Sequence, residues 1–527
     1  MAAPGTMKET WTKVEDLLKR RDPETEPYKS RYEAIKVLRD ARERIVSGNE
    51  TLTVEEEKAV AAIDHRIGLT KVSVDERGEG KEILNGCLEV LQKHEGDFVH
   101  QLQEAWNMLG IVNFERDLTS QALEYFKRAE DLYHGRKESA SGSHFSLTLF
   151  YLAQAYSNLG EAEQGARYCA LTLDMQLRTK TYATHDWTQN AVQLAGFYLD
   201  KAQFATAYNL LEAAKAVLRE DIGELDDFIP SGGNTGDVPA NLVLGWAKFY
   251  LRLLVASREW KLSGGAEGFR EGYEVREEEV RPELRFESLD LAPCPFLTKS
   301  ALFLDFGQAR TVFNKGMTYF KRAMEHYKLD GWVTEHFQIT MEVSALYRAL
   351  ATFETDGHRA CVMHRKRSKR IEVVLEDLNP KYFPSVWKSG LLELADIYRE
   401  IMEVKSSVNR PAGKVYKAGA ASAQYYKKFI ESFDDTDGGI ENLEEDDMLY
   451  YIKARFELGR ILQKLYSVYP EGQGDSRNSC MSESIMHLQW IEDFTEKHDV
   501  EGFAQERALC VEMKNLLQTK FSLLKAS

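Results

Sequence analysis

W-N-M-L-G-I-V-N-F-E-R-D-L-T-S-Q-A-L-E-Y-F-K-R-A, from Trp106 to Ala129, is the stretch on which the fold turns. Its spacing is that of two antiparallel helices. Trp106, Leu109 and Gly110 stand on the first, and Ala122, Phe126 and Ala129 follow on the second as small, aromatic and small residues. Gly110 and Ala122 are small enough to let two helices cross closely, and Phe126 is large enough to fill the gap between one hairpin and the next. One place departs from the tetratricopeptide pattern: Asn113 stands where a tyrosine is expected.

The signature returns twice downstream. Leu152-Ala153, Tyr156 and Gly160 are followed by Gly165, Cys169 and Thr172, and Leu194-Ala195 with Tyr198 is followed by Ala207, Leu211 and Ala214. Gly110, Ala153 and Ala195 are 43 and 42 residues apart. The usual repeat is about 34 residues, so extended helices or loops are predicted. Fainter echoes at Phe306-Gly307, Leu394-Ala395 with Tyr398, and Leu458-Gly459 each resemble the start of a first helix. Almost every segment has a period near 3.6 and alternating strand patterns are missing, so the expected class is all-α.

Between the two sets of repeats the pattern breaks. Glu220 to Pro239 holds no Lys or Arg and is rich in turn formers, which reads as an exposed loop. Asn241 to Leu262 is largely apolar and predicts one long helix, ended by Gly264-Gly265, and Glu271 to Arg285 is of mixed charge. The expected organisation is an N-terminal repeat subdomain over 1–240, a linker helix and loop over 241–300, and a C-terminal helical subdomain over 301–527. The hinge falls near 220–300. A second acidic loop, Asp434 to Asp447, carries eight carboxylates and no basic residue.

Composition narrows the function. The 527 residues are 43% hydrophobic and 11% aromatic, enough for a large core. Only 12 are proline, a ring that removes a backbone donor and breaks long helices. Against 68 basic residues stand 84 acidic ones, a net charge of −16. Such a surface repels phosphate backbones, which argues against nucleic acid and for a basic partner. Six cysteines form no C-x-x-C pair, which points to a reducing compartment rather than a disulfide scaffold or zinc ribbon. The N-terminus has no apolar leader core, and no run of about 18 uncharged apolar residues occurs, so membrane insertion is not expected. The expected location is cytoplasmic.

Chemistry-bearing motifs are missing. There is no H-E-x-x-H, no His–Cys metal spacing, no G-x-S-x-G and no identifiable acid/base carboxylate pair. The expectation is no enzyme, no catalytic residue, no metal and no cofactor. Gly78-Glu79-Gly80-Lys81 and Gly232-Gly233-Asn234-Thr235-Gly236 follow no strand and lack the phosphate-loop spacing, so both read as plain loops. His364-Arg365-Lys366-Arg367 with Lys369-Arg370 sits in a helix expected from about Thr352. It reads as an exposed basic face more readily than as a nuclear address, with pairing to an acidic loop left open. Cys169 and Cys361 fall at helix-packing positions and read as small core residues.

Specific strings go beyond generic helix packing. They are Glu26-Pro27-Tyr28-Lys29-Ser30, Tyr151-Leu152-Ala153-Gln154 with Tyr168-Cys169, Asp330-Gly331 with Val333-Thr334 and His336, and Ser344-Ala345-Leu346. Phe353-Glu354-Thr355-Asp356, Met363-His364, Asp377-Leu378-Asn379-Pro380 with Tyr382, Tyr425-Tyr426 and Glu496-Lys497-His498 continue them. In these the chain resembles the kinesin-binding protein (KIF-binding protein) family over nearly its whole length. The resemblance implies a tetratricopeptide-like right-handed α-solenoid in two subdomains joined by a linker helix. It also implies a non-enzymatic, cytoskeleton-associated regulator that binds the motor domains of a subset of kinesins and blocks their attachment to microtubules.

A helical solenoid binds partners on the face lined by the first helix of each hairpin. Offsets from Leu109, Leu152 and Leu194 place Asn107, Gln154, Asn158 and Gln189 there, with Tyr151 and Gln193 beside them. Amides and a phenol donate and accept at once, which suits a folded partner presenting backbone groups. The resemblance agrees at Tyr151 and Gln154 and adds Gln176, while at Gln193 the family pattern is not kept. The alternative is a general tetratricopeptide scaffold, such as a co-chaperone that clamps a peptide carboxylate. That clamp needs Lys, Arg and Asn on the inner face.

Overall fold

The structure is a computed structural model that describes residues 4–47, 51–223, 237–263, 284–292, 305–433, 443–469, 474–498 and 504–526. Most of the two acidic loops, the Gly232–Gly236 stretch, Cys294 and most of the mixed-charge stretch lie outside the described residues. Among the described residues the regular elements are all helical. The chain divides into two compact units, one over Met1–Tyr198, Ala205–Asp221 and Glu279–Cys294, the other over Leu199–Phe204, Ile222–Glu278 and Pro295–Ser527.

The first unit is built from α1 (Pro4–Lys19), α2 (Lys29–Val46), α3 (Val54–Ser73), α4 (Arg77–Lys93), α5 (Val99–Phe114), α6 (Thr119–Gly135), α7 (Gly142–Asn158), α8 (Ala162–Thr179), α9 (Thr184–Asp200) and α10 (Phe204–Ile222). Caps start several of them. Thr53 and Glu56 form a reciprocal capping box on α3, and the Ser141 hydroxyl accepts from the His144 amide on α7. The α5 to α8 helices are 16 to 18 residues long, which accounts for the long repeat. Each core cluster is shared by neighbouring helices: one joins α1 to α3, one joins α3 to α6, and one spans α5 to α8. First helices also touch directly, α5 lying against both α3 and α7.

The residues that announced the hairpin do the packing assigned to them. Leu109, Ala122, Phe126 and Ala129 have no exposure, and a Cβ placed on Gly110 would lie 2.4 Å from the Phe126 ring. Only glycine fits there. Asn113 is fully buried, and its Oδ1 accepts from Lys81 Nζ at 2.6 Å, so the amide replaces the expected tyrosine with a tie to α4. The 284–292 segment also belongs to this unit. Leu284 and Phe286 are wholly buried, the Phe286 ring stands edge-on to Trp187 at 5.6 Å, and Asn209 Nδ2 donates to the Leu284 carbonyl.

The second unit holds α11 (Val238–Leu262), α12 (Phe306–His326), α13 (Val333–Ala351), α14 (Gly357–Asp377), α15 (Pro384–Ser407), α16 (Ala412–Glu431), α17 (Glu445–Val468), α18 (Gly474–Lys497) and α19 (Ala504–Ala526). The long apolar helix expected at Asn241 is α11. Among the described residues it alone is long and apolar enough to cross a membrane, yet 67% of its most apolar window is buried inside the protein. One large core joins α13 to α17 and a second joins α17 to α19.

The echo at Phe306-Gly307 stands at the start of α12, and the glycine at a close crossing is Gly316, whose Cβ would meet Tyr250 at 3.2 Å. Two sequence expectations need correction here. The helix expected from Thr352 starts at Gly357, because Thr352 closes α13 and the Asp356 carboxylate caps the His358 amide at 2.8 Å. The run His364–Arg370 is not one exposed basic face. Arg365, Lys366 and Lys369 are exposed, whereas Arg367 is 0% exposed and His364 6%. The Arg367 guanidinium donates to Glu393 at 2.8 Å, to the Ser344 hydroxyl at 2.9 Å, to His364 Nδ1 at 2.8 Å and to Glu400. Arg348 adds a second bridge to Glu400 at 2.6 Å. Burial alone would raise the Glu400 carboxyl, but these two guanidinium groups hold it below its usual range. Burial pulls the His364 pKa down to about 4, so the ring is neutral.

Candidate partner-binding face

Three first helices of the first unit, α5, α7 and α9, contain no Lys or Arg; their acidic residues are Glu104, Asp186 and Asp200. The richest surface is on α7. Leu147, Phe150, Gln154 and Asn158 follow at helical spacing and all four are exposed, Leu147 at 40% and Phe150 at 39%. Tyr151 sits half-buried among them. Its ring stacks on Phe126 at 5.4 Å and meets Phe114 of α5 and Phe150 edge-on at 5.9 and 5.2 Å. Burial, then the Glu115 carboxylate, push its phenol above the ordinary range, so it stays a neutral donor and acceptor.

The α7 helix is held so that this stripe faces outward. Asn107 of α5 donates through Nδ2 to the His144 carbonyl at 2.9 Å and accepts from the Thr148 hydroxyl at 2.8 Å. At 2% exposure Asn107 is a joint between two first helices and not the open amide expected from its offset. Its neighbour Gln103 forms a second joint, accepting from the Ser141 amide at 2.8 Å.

The other expected residues separate. Tyr151, Gln154 and Asn158 come together on α7. Gln189 and Gln193 lie one turn apart on α9, the first half-buried and the second exposed, on a helix anchored to α8 by the Trp187 indole donating to the Leu173 carbonyl at 3.1 Å. Gln176 is half-buried on α8, the second helix of its hairpin. Reading the sequence for amides passed over Leu147 and Phe150. Their positions four and one residues before Tyr151 are the signal that finds them.

The family model described as KIF-1 binding protein C terminal matches residues 185–524, from α9 to α19. The chain belongs to this family. The KIF-binding protein of Gallus gallus is 28% identical over 568 aligned residues, covering 96% of this chain and 95% of the relative. That of Homo sapiens is 26% identical over 95% of this chain and 94% of its own length, and that of Drosophila melanogaster 24% over 98% and 97%. A solved structure of kinesin binding protein (KBP) matches with a TM-score of 0.68 at 24% identity over 99% of each chain. A cryo-EM structure of KIFBP matches with a TM-score of 0.60 at 22% identity over 98% of this chain. The likeness shows a shared all-helical, solenoid-like repeat fold. The α7 stripe precedes the matched C-terminal region, but the family's full-length relatives span it.

Proposed function

We propose that the chain is a non-enzymatic cytoplasmic regulator that binds kinesin motor domains through the α5–α7–α9 face and blocks their attachment to microtubules. The names of its relatives supply the partner class. The observation that carries the reading is the absence of Lys and Arg from these three helices, joined to the exposed apolar and amide stripe of α7.

The physics follows from that composition. A motor's filament-gripping surface is basic because tubulin is acidic, and a face without cations inside a chain of charge −16 attracts it at a distance. On contact, Leu147, Phe150 and Tyr151 provide apolar area, while Gln154 and Asn158 pair with backbone and mixed side chains at its edge. Gln189 and Gln193 extend the amide surface on α9, and Gln176 lies behind it on α8. Asn107 contributes by fixing α7 on α5. A motor held this way has its filament-gripping surface covered. The same lack of cations weighs against a carboxylate-clamping co-chaperone.

Microtubule co-sedimentation of a panel of kinesin motor domains tests the proposal. The wild-type chain is expected to leave its target motors in the supernatant, less so as ionic strength rises. Tyr151→Ala with Gln154→Ala is expected to return them to the pellet with helicity unchanged. Full inhibition by that double variant refutes the site, and an affinity indifferent to salt refutes the attraction.

A further inference from the structure

The second unit contains a cleft of about 320 Å³ between α11, α13, α14 and α15. Its apolar part is made by Ala351, Gly357, Ala360, Val404 and Val408, with no Phe, Tyr or Trp in the lining. Arg258, Arg348 and His364 stand on its polar wall, with the hydroxyls of Thr352, Thr355 and Ser407.

Carboxylates line it too, but each is already matched. Glu400 is held by Arg348 and Arg367, Glu354 by Arg359 at 3.0 Å, and Glu403 by Lys464 at 3.3 Å and Arg399 at 3.5 Å. Arg258 is not matched. Its Nε donates to the Thr352 hydroxyl at 3.2 Å, and among the described residues no carboxylate lies within ion-pair distance of its guanidinium. Lys261 brings another positive charge close by, donating to the Thr352 carbonyl at 3.1 Å. Burial, then the neighbouring Arg348, depress the Arg258 pKa, and the more distant Glu400 and Glu259 carboxylates offset this only in part.

His364 supplies a directed donor. Arg367 donates to its Nδ1, so that nitrogen accepts and the neutral ring carries its proton on Nε2. With Arg348 engaged by Glu400, the Arg258 guanidinium, an imidazole N–H and hydroxyls around one small cleft form an oxyanion-binding set.

We infer that this cleft binds the phosphate group of a small phosphate ester, with Arg258 as its principal counter-ion. The volume is at the low end for ligand sites, and the aliphatic wall without a stacking ring suits a compact polyol or aliphatic stem, not a nucleobase. The cleft lies within the second unit and shares no residue with the α7 face.

Isothermal titration of the purified full chain with glycerol phosphate and with pyrophosphate, and flotation with phosphatidylcholine vesicles with and without phosphatidic acid, test it. Saturable binding is expected, weakened about tenfold or more by Arg258→Met, less by Arg258→Lys, and unchanged by Lys366→Met. Arg258→Met removes an unpaired half-buried charge, so its circular dichroism and melting temperature without ligand are expected to match or exceed the wild type. Arg258-dependent binding of free glycerol phosphate in preference to pyrophosphate supports a soluble phosphate ester, and Arg258-dependent binding of phosphatidic acid vesicles alone supports a lipid headgroup in the same cleft. No saturable binding to either source, or binding that survives Arg258→Met, overturns the inference.

Discussion

Replacing Arg367 by methionine separates a buried hub from an exposed basic run. The guanidinium reaches Glu393, Glu400, Ser344 and His364, and none of its surface meets water. Methionine fills much of the volume but leaves Glu393 with only the Ser344 hydroxyl, and Glu400 with Arg348. Stripping one partner from a buried pair costs about 3–5 kcal/mol. Here the two carboxylates keep 17% and 14% of their side-chain surface, so water screens part of the stranded charge. With Arg348 still in place, the expected loss is about 2–3 kcal/mol. The neighbouring Lys366→Met lies on the exposed side of α14 and is expected to stay within about 0.5 kcal/mol of wild type. Hydrogen exchange of the α14 amides reads the difference: opening is expected to speed up about 30- to 150-fold in Arg367→Met and hardly at all in Lys366→Met. Equal protection in the two variants refutes the hub.

Two further outcomes concern the first unit. Gly110→Ala is expected to destabilise it in urea unfolding, because overpacking against the fixed Phe126 ring costs about 1–3 kcal/mol and the gain in helix propensity returns at most about 1. Gly86→Ala, where a Cβ meets nothing within 4 Å, is expected to be neutral or stabilising. His65 is buried, and desolvation, then Arg66, pull its pKa from 6.5 to about 4. The unfolded chain therefore binds a proton that the folded one refuses. Stability is fully present above pH 6.5 and falls as pH drops towards 4, by at most about 3 kcal/mol from this residue. Urea midpoints across that range are expected to flatten in His65→Gln.

The hairpins were legible because steric demands are local. Gly110 and Phe126 must meet if two helices cross closely, and their spacing states it. The composition of the basic run misleads because residue type carries no helical phase. His364, Arg367, Ser368 and Ile371 repeat at three- and four-residue intervals and share the buried face of α14, while Arg365, Lys366 and Lys369 fall outside it. Arg367 also needs Glu393 and Glu400, brought by α15, and no local pattern pairs residues that far apart. Asn107 shows the same limit: its offset was right for a first helix, but its partners His144 and Thr148 are on the next hairpin.

Leu284 and Phe286 reach back across the chain to Asn209 and Trp187. During synthesis most helices of the first unit can fold against a neighbour just made. The Trp187 flank cannot be finished in that order. Its cover emerges from the ribosome only after the whole of α11, so the nascent first unit carries an open apolar notch at that flank for the 64 residues of translation from Ile222 to Phe286. A prematurely terminated product would keep that notch, a ready mark for quality control.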